Sequence, residues 1–243
     1  MEKVVERIVD FVFYKIQNIV YDANMNAINT PTYMRLRDQV RKDIVAGIWP
    51  LGTHVTLAQL TQHYQVSAVP VREALLQLQG EGVIAMRMNR GAVIPTVDAQ
   101  YIDNLYRVRG AIQVMLAREA AARATPEQVE TMRMLAGQQV AAADAHDVER
   151  CVETNRAFHH FIDSVAGNPL ALEMLEGRSS LVDAFRRTIG YGQGRIDSVR
   201  AQHSRLVDAI AAGDADLAAQ ITFEHTESSR LDLMAKAVKT AES

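Results

Sequence analysis

The chain has 243 residues, 48% hydrophobic and 23% charged, so it is long enough for two domains and too apolar for global disorder. Its single cysteine, Cys151, cannot form an internal disulfide, and no run of eighteen apolar residues occurs, which predicts a cytoplasmic protein without a membrane span. The net charge of −3 is uneven, because residues 31–95 carry seven Lys/Arg against four Asp/Glu, whereas residues 96–243 carry sixteen against twenty-one. This asymmetry predicts a polyanionic partner for the basic unit alone.

Residues 1–30 are predicted to be an N-terminal extension. Apolar residues repeat at helical spacing over residues 2–21, and the charges within that stretch exclude a secretory signal. The sequence DANMNAINTP then interrupts the pattern, and Met25 directly precedes the first well-formed domain. Two interpretations stay open: a non-native leader over residues 1–24, or an amphipathic helix that docks on the body of the protein or on a partner chain.

Residues 31–95 are predicted to form a winged helix-turn-helix domain. The expected elements are, in chain order, helices over 33–46, 57–63 and 68–79 and β segments over 83–86 and 92–95. Ser67 is placed to cap the third helix, and the basic sequence RMNRG joins the two β segments. The order helix, short helix, tight turn, helix and basic hairpin is typical of proteins that bind double-stranded DNA.

An α-helix fits the major groove of DNA, where its first residues face base edges and its N–H groups attract phosphate oxygens. Among these residues, Arg72 can form paired hydrogen bonds to guanine or a salt link to phosphate. The alternative is a small packing domain with a solvated, charged hairpin. The residues expected to contact DNA are Arg35, Arg37, Ser67, Ala68, Val69, Arg72, Arg87, Asn89, Arg90 and Gly91.

The sequence VSAVPVREALLQLQGEGVIAMRMNRGAVI, residues 66–94, resembles the DNA-binding unit of GntR-family bacterial transcription regulators, with its V-S-x-x-P-V-R-E-A-L pattern and N-R-G wing. The resemblance extends back through residues 36–61. Ala68 stands where the family usually has Arg or Lys, and Leu57 and Ala58 stand where acidic and basic side chains are frequent. The resemblance therefore implies a DNA-binding regulator with altered operator preference or weaker affinity.

Residues 96–243 are predicted to be entirely helical. The expected helices span 98–122, 126–143, 147–166, 169–189, 194–212 and 214–238. The loops between them are short, so neighbouring helices are expected to be mostly antiparallel. The chain as a whole is therefore predicted to be mainly α, with an N-terminal winged helix-turn-helix and a C-terminal all-helical bundle.

Histidines on three of these helices are candidates for a common site. Asn155 and His159 lie four residues apart and so share one helix face, whereas His160 points about 100° away and is expected at the surface. His203 and His225 lie near the apolar stripes of later helices. Three neutral imidazoles inside a bundle can bind Zn²⁺ or Ni²⁺. Spacing alone does not establish that they converge, and structural histidines are the default interpretation.

The sequence NRAFHHFIDSVAGNPLALEML resembles the D-x-x-F-H…A-x-x-N-P signature of the FCD ligand-binding domain in the FadR subfamily of GntR regulators. LYRVRGAIQVMLAREAA and AQHSRLVDAIAAGDADLAAQITFEH are similar to its first helix and closing helix pair. In metal-binding members an aspartate and three histidines chelate a divalent cation, and the matching positions are Asn155, His159, His203 and His225. A neutral carboxamide at Asn155 implies weaker metal binding. The alternative is a pocket that keeps its histidines for a purely organic anion.

Arg109 stands where the family's first helix carries an arginine, and Gln113 replaces the usual glutamate. A guanidinium in a helical cavity suits a carboxylate, although a surface salt bridge is the alternative. The expected effector is a small carboxylate, namely a hydroxy, keto or sugar acid or an amino-acid relative, held with a Zn or Ni ion. The residues expected to bind it are Arg109, Asn155, His159, His203 and His225.

These patterns predict a homodimeric transcriptional repressor that presents two recognition helices to a palindromic operator and responds to a metabolite. The segment 95–99 is the expected place for the change in orientation between the two units. A metal-dependent hydrolase is the rival from another class, because three histidines and an open coordination position can activate water. No H-E-x-x-H, G-x-S-x-G or P-loop motif is present, so an enzyme is not expected. An effector-free DNA-binding protein is the third possibility.

Overall fold

The computed structural model describes residues 31–87, 91–192 and 194–241. In chain order they form α1 (Thr32–Val45), β1 (His54–Val55), α2 (Leu57–Tyr64), α3 (Ala68–Gly80), β2 (Ala85–Arg87), β3 (Gly91–Val93), α4 (Ala99–Arg123), α5 (Pro126–Asp144), α6 (Val148–Val165), α7 (Pro169–Ile189), α8 (Arg195–Ala211) and α9 (Ala215–Ala241). The prediction of a mainly helical chain with a small winged unit is confirmed. Strand β1 was not predicted, because two residues are too few to show an alternating pattern.

Local sequence explains where the helices begin. The side chains of Thr56, Asp98, Thr125, Asp147 and Asn168 each accept a hydrogen bond from the backbone N–H three residues later, which starts α2, α4, α5, α6 and α7. Ser67 precedes α3 as expected, but its side chain makes no such bond. The predicted capping bond of α3 is therefore wrong, although the helix start is correct to the residue.

The helix-turn-helix is held together by a buried polar network as well as by apolar packing. Tyr64 Oη donates a hydrogen bond to Asp43 Oδ2 at 2.6 Å, and Trp49 Nε1 donates to Tyr64 Oη at 2.7 Å. Gln39 Nε2 donates to the other oxygen of Asp43 at 2.8 Å. Because Asp43 lies in the last turn of α1 and Tyr64 ends α2, these bonds fix the two helices relative to each other.

The wing is a three-stranded antiparallel sheet in the order β1-β3-β2, with His54 paired to Val93 and Val55 to Ala92. Gly91 begins β3 with a φ of +98°, and a Cβ atom built there would lie 2.3 Å from the carbonyl oxygen of Val55. This close approach of two backbones requires glycine. A glycine at position 91 is therefore needed for the packing of β3 against β1 in the wing.

We expect Gly91→Ala to lower the free energy of unfolding by more than about 2 kcal/mol, because the left-handed backbone and the contact with Val55 both penalise a Cβ. Urea denaturation followed by circular dichroism measures this change. Gly137→Ala is the matched control: Gly137 lies inside α5 with no atom within 4 Å of the added Cβ, so alanine should stabilise by about 0.5–1 kcal/mol. Equal effects at both positions would contradict the assigned role of Gly91.

The winged unit and the helical unit share one apolar core. Leu36, Val40 and Ile44 of α1 belong to the same buried cluster as Leu181 and Phe185 of α7 and Leu233 and Ala237 of α9. Val97, in the predicted hinge segment 95–99, is 5% exposed and belongs to this cluster as well. The linker is thus packed into the core, so the relative orientation of the two units is set by side-chain packing across α1 and α7.

Helices α4–α9 surround a second apolar core. Its largest buried side chains include Leu116, Met132, Phe158, Leu206 and Ile221, which come from five different helices. The long helices α4 and α9 pack against each other. No helix among the described residues is long and apolar enough to cross a bilayer. The bundle therefore places polar residues of α4, α6, α7, α8 and α9 around a common interior, where they form the candidate site.

Candidate functional site

The start of α3 presents the residues that were predicted to contact DNA. Val69 is 64% exposed, Ser67 is exposed and Ala68 is half-buried. Arg72, one turn further on, is exposed and makes no hydrogen bond or ion pair with the described part of the chain. Its guanidinium is therefore available to a ligand without breaking an internal contact.

The other residues that were predicted to contact DNA differ in their exposure and in their ion pairing. Arg35 on α1 and Arg87 at the end of β2 are exposed, whereas Asn89 and Arg90 lie outside the described residues. Arg37 is 23% exposed and forms ion pairs with Asp38 at 2.7 Å and Glu81 at 3.7 Å. A phosphate would have to compete with these two carboxylates for the guanidinium of Arg37, and its contact with DNA stays a prediction.

Three buried histidines converge in the interior of the helical unit. His159 of α6, His203 of α8 and His225 of α9 are each at most 7% exposed, and their ligand atoms lie within 4.8 Å of one another. The Nε2 atoms of His159 and His225 are 3.1 Å apart. Packing fixes the third ring, because Phe158 stacks on His203 with ring centroids 4.1 Å apart. Neighbouring His160 is exposed, as its position on the helix predicts.

The environment keeps these imidazoles neutral. Burial, Arg109 and Arg195 lower the pKa of His159 to about 3, and burial followed by the neighbouring His159 holds the pKa values of His203 and His225 well below the usual range. Neither ring nitrogen of His203 has a hydrogen-bond partner. His225 Nδ1 contacts Gln202 Oε1 at 3.0 Å, which directs its Nε2 into the cluster. The cluster thus offers several neutral nitrogen lone pairs to one point, which is what a metal requires.

Asn155 lies one turn before His159 on α6, and its Oδ1 accepts a hydrogen bond from Gln139 Nε2 at 3.1 Å. A carboxamide oxygen with this partner is a weaker ligand than the carboxylate usual at the position. Asn155 also lines a cavity of about 60 Å³ that extends along α6, α7 and α8. Arg109 lines the same cavity from α4 and, on its other side, a wider groove of about 350 Å³ between α4 and α7.

Several polar residues at this cavity were not singled out from the sequence. They are Arg156 and Asp183, which pair at 3.0 Å, together with Arg186, Arg195, Tyr191 and Ser229. Arg195 precedes Gln202 by seven residues, and positions seven apart share a helix face. Arg195 donates to Gln202 Oε1 at 3.1 Å.

Asp163, one turn after His159, is a further buried acid. It is 5% exposed, and its one hydrogen bond among the described residues comes from Gln113 Nε2 at 3.4 Å. Burial raises its pKa to about 6, despite the attraction of Arg109. No carboxylate of the described residues joins the histidine cluster, so Asp163 is a neighbour of that cluster and not a member of it.

This pKa predicts a pH-dependent effect of Asp163→Asn. The folded state holds the proton more tightly than the unfolded chain, so stability from this group is full below about pH 4 and is lost as the pH rises through about 6. The asparagine variant should therefore melt several degrees above wild type near pH 7.5, with a gain of at most about 3 kcal/mol, and the difference should shrink towards pH 4. Exposed Asp208→Asn is the control and should show no such trend. A pH-independent difference would contradict the assignment.

Comparison with models of known protein families shows the family to which this chain belongs. Residues 104–228 match the model described as the FCD domain, and residues 32–94 match the model for bacterial regulatory proteins of the gntR family. The chain belongs to the GntR family and carries an FCD domain. The resemblance inferred from the sequence is confirmed, and this GntR protein is a transcription regulator of the class that binds DNA operators.

Individual relatives share most of its length. The HTH-type transcriptional repressor RspR of Escherichia coli K12 is 25% identical over 197 residues, which cover 81% of this chain and 86% of RspR. The HTH-type regulator YdhC of Bacillus subtilis is 23% identical over 198 residues, covering 81% of this chain and 88% of YdhC. The structure of E. coli McbR/YncC superposes with a TM-score of 0.72 at 18% identity, covering 85% of this chain and 99% of McbR. This last similarity shows the shared fold.

Proposed function

We propose that this GntR regulator is a cytoplasmic repressor that leaves its operator when a small carboxylate binds in the FCD domain. One observation carries the proposal: three buried, neutral histidines meet beside a cavity lined by arginines. Such a combination has no structural benefit of its own, because burying both unpartnered nitrogens of His203 costs free energy. The similarity to the repressor RspR supports the direction of regulation.

The histidine cluster fits a divalent metal such as Zn²⁺ or Ni²⁺. With metal–nitrogen bonds of 2.0–2.1 Å, two imidazole nitrogens on a tetrahedral ion lie about 3.3 Å apart. The Nε2 atoms of His159 and His225 are 3.1 Å apart, close to that spacing. His159, His203 and His225 would hold the ion, with Asn155 as a weak fourth ligand. A bound dication would supply a Lewis-acidic centre for a carboxylate oxygen of the effector.

Operator recognition is assigned to the start of α3, where Arg72 is exposed and unengaged within the described chain. A homodimer would place two such helices about one DNA turn apart. Exposed apolar side chains on helices α4 and α9 are candidates for contact with the second copy. They are Val108, Met115, Leu217, Phe223 and Leu231.

A metal-dependent hydrolase is disfavoured as the alternative. Hydrolysis on a three-histidine metal site needs a general base beside the attacking water. Among the described residues no aspartate or glutamate joins the histidine cluster. The relatives that match are transcription regulators as well.

Selection from a random duplex pool tests the function. Purified protein, supplied with Zn²⁺ or Ni²⁺, should enrich a palindrome whose half-sites lie about one helical turn apart. The selected duplex should then be released by members of a panel of short carboxylates. Failure to enrich any sequence, at low salt where phosphate contacts are strongest, would refute the assignment of the DNA-binding unit.

A further inference from the structure

The small cavity beside the histidines carries more positive charge than the fold neutralises. Arginines from four helices line it: Arg109 of α4, Arg156 of α6, Arg186 of α7 and Arg195 of α8. Arg156 pairs with Asp183 at 3.0 Å, and Arg186 pairs with Asp232 at 2.5 Å. Neither Arg109 nor Arg195 forms an ion pair with any carboxylate among the described residues. Two of the four guanidiniums in the cavity wall therefore have no ion-pair partner among the described residues, although Asp163 and Asp183 attract Arg109 and Asp232 attracts Arg195 from farther away.

The guanidinium of Arg195 is buried and held in place by hydrogen bonds, in contrast to a solvated surface arginine. It is 6% exposed, and its terminal nitrogens donate to neutral oxygens only, including Ser228 Oγ at 3.0 Å and Ser229 Oγ at 2.5 Å. Its Nε is buried without a partner. Burial and the nearby Arg186 lower the pKa of its guanidinium to about 10, which still leaves it charged. Burying a positive charge that has an unsatisfied N–H donor costs free energy, and a bound anion would offset that cost.

Two further features of the structure favour an anion at Arg195. Arg195 is the first residue of α8, whose preceding Gly194 provides no side-chain cap, so the positive end of the helix dipole adds to its charge. Arg195 Nη2 also donates to the carbonyl oxygen of His225 at 3.4 Å, so its guanidinium lies next to the histidine cluster. The carboxamide of Asn155 contributes no negative charge in return.

We propose that the effector is a compact dianion, with one acidic group at Arg109 beside the histidine cluster and the other at Arg195. This inference rests on the proposed function, in which the cavity binds an organic acid. The cavity volume of about 60 Å³ holds about four to six water-sized groups, so the ligand has about four to eight non-hydrogen atoms. Short dicarboxylates meet both requirements. A monocarboxylate of that size would leave one buried guanidinium without a counter-charge.

Calorimetric titration of the metal-loaded, full-length protein tests the charge requirement. The probes are malonate and succinate, compared with propionate and butyrate as monoanions of matched length. Wild type should bind the dianions at least about tenfold more tightly, and Arg195→Gln should lower dianion affinity by about 10–100-fold while changing monoanion affinity less than about twofold. Arg133→Gln, at an exposed ion pair on α5, is the control and should match wild type. Inorganic phosphate is titrated as an additional probe. If phosphate binds more tightly than the dicarboxylates, both guanidiniums contact a single acidic group.

Three outcomes would overturn the inference: equal wild-type affinity for dianions and monoanions, an equal loss of both in Arg195→Gln, or tighter binding of phosphate than of dicarboxylates. If monocarboxylates bind and release operator DNA as well as dicarboxylates do, the proposed function stands and the dianion requirement fails. If no carboxylate of either charge binds, both fail. Should Arg195→Gln not fold, Arg195→Lys keeps the charge but has no Nε–H donor, and it should weaken dicarboxylate binding several-fold with little effect on monoanions.

Discussion

Replacing Arg72 by alanine should weaken operator binding by about 5–150-fold, which corresponds to about 1–3 kcal/mol for a lost arginine contact to a base. The physical reason is its position: Arg72 is exposed one turn into the recognition helix α3 and has no internal partner in the described chain. Because the exposed side chain makes no hydrogen bond or ion pair within the described fold, its removal should leave the melting temperature nearly unchanged. Fluorescence anisotropy with a labelled operator, measured at several salt concentrations, gives the change in affinity.

The salt dependence identifies which contact was lost. If Arg72 binds phosphate, the slope of log affinity against log salt should fall by about one; a contact to guanine should instead relax sequence preference at one position. Arg133→Ala on α5 removes an exposed arginine of the FCD domain and should leave binding unchanged. If Arg72→Ala bound the operator like wild type, α3 would lose its assigned role in recognition.

Replacing His203 by leucine should have opposite effects with and without metal. In chelator-treated protein the variant should melt a few degrees higher than wild type, because leucine removes two buried nitrogens that have no partner, at about 1–3 kcal/mol. With Zn²⁺ or Ni²⁺ at about one hundred times its dissociation constant, wild type should gain about 2.7 kcal/mol, and the variant should gain almost nothing. Differential scanning fluorimetry and the metal content after dialysis measure both effects.

His160→Leu provides the matched control, since His160 lies on α6 next to His159 but is exposed. It should retain both the metal content and the metal-dependent rise in melting temperature. A purely structural role for His203 would give a different pattern, in which leucine or any other replacement destabilises the protein equally with and without metal. Equal metal retention by His203→Leu and wild type would remove the metal site from the proposal.

Most elements of the fold could be predicted because each helix shows a pattern of apolar residues within its own sequence. Apolar spacing predicted all nine helices of the described residues, and in the structure Thr125 and Asn168 cap the starts of α5 and α7. Strand β1 was missed because its two residues pair with β3, which lies more than thirty residues away in the sequence. Such pairing depends on tertiary contact and leaves no local pattern.

Site residues could be predicted from the sequence where their arrangement depends on a single helix, and not where it depends on how several helices pack. The shared face of Asn155 and His159 follows from spacing on one helix. The convergence of His203 and His225 needs the packing of three helices, which spacing does not provide. Arg195 and Asp163 were missed, because a charged residue at a helix terminus or on a polar stripe looks like an ordinary surface residue until burial is known.

Helix α7 has a consequence for the genetics of this regulator. Its Leu181 and Phe185 pack in the core of the winged unit, while Asp183 and Arg186 line the cavity. Substitutions at the two apolar positions would change how the halves fit together without touching operator or metabolite. If a metabolite controls operator binding as proposed, selection for strains that ignore the metabolite, or that express the target genes without it, should therefore recover alleles in α7 as well as in the operator-binding and effector-binding sites.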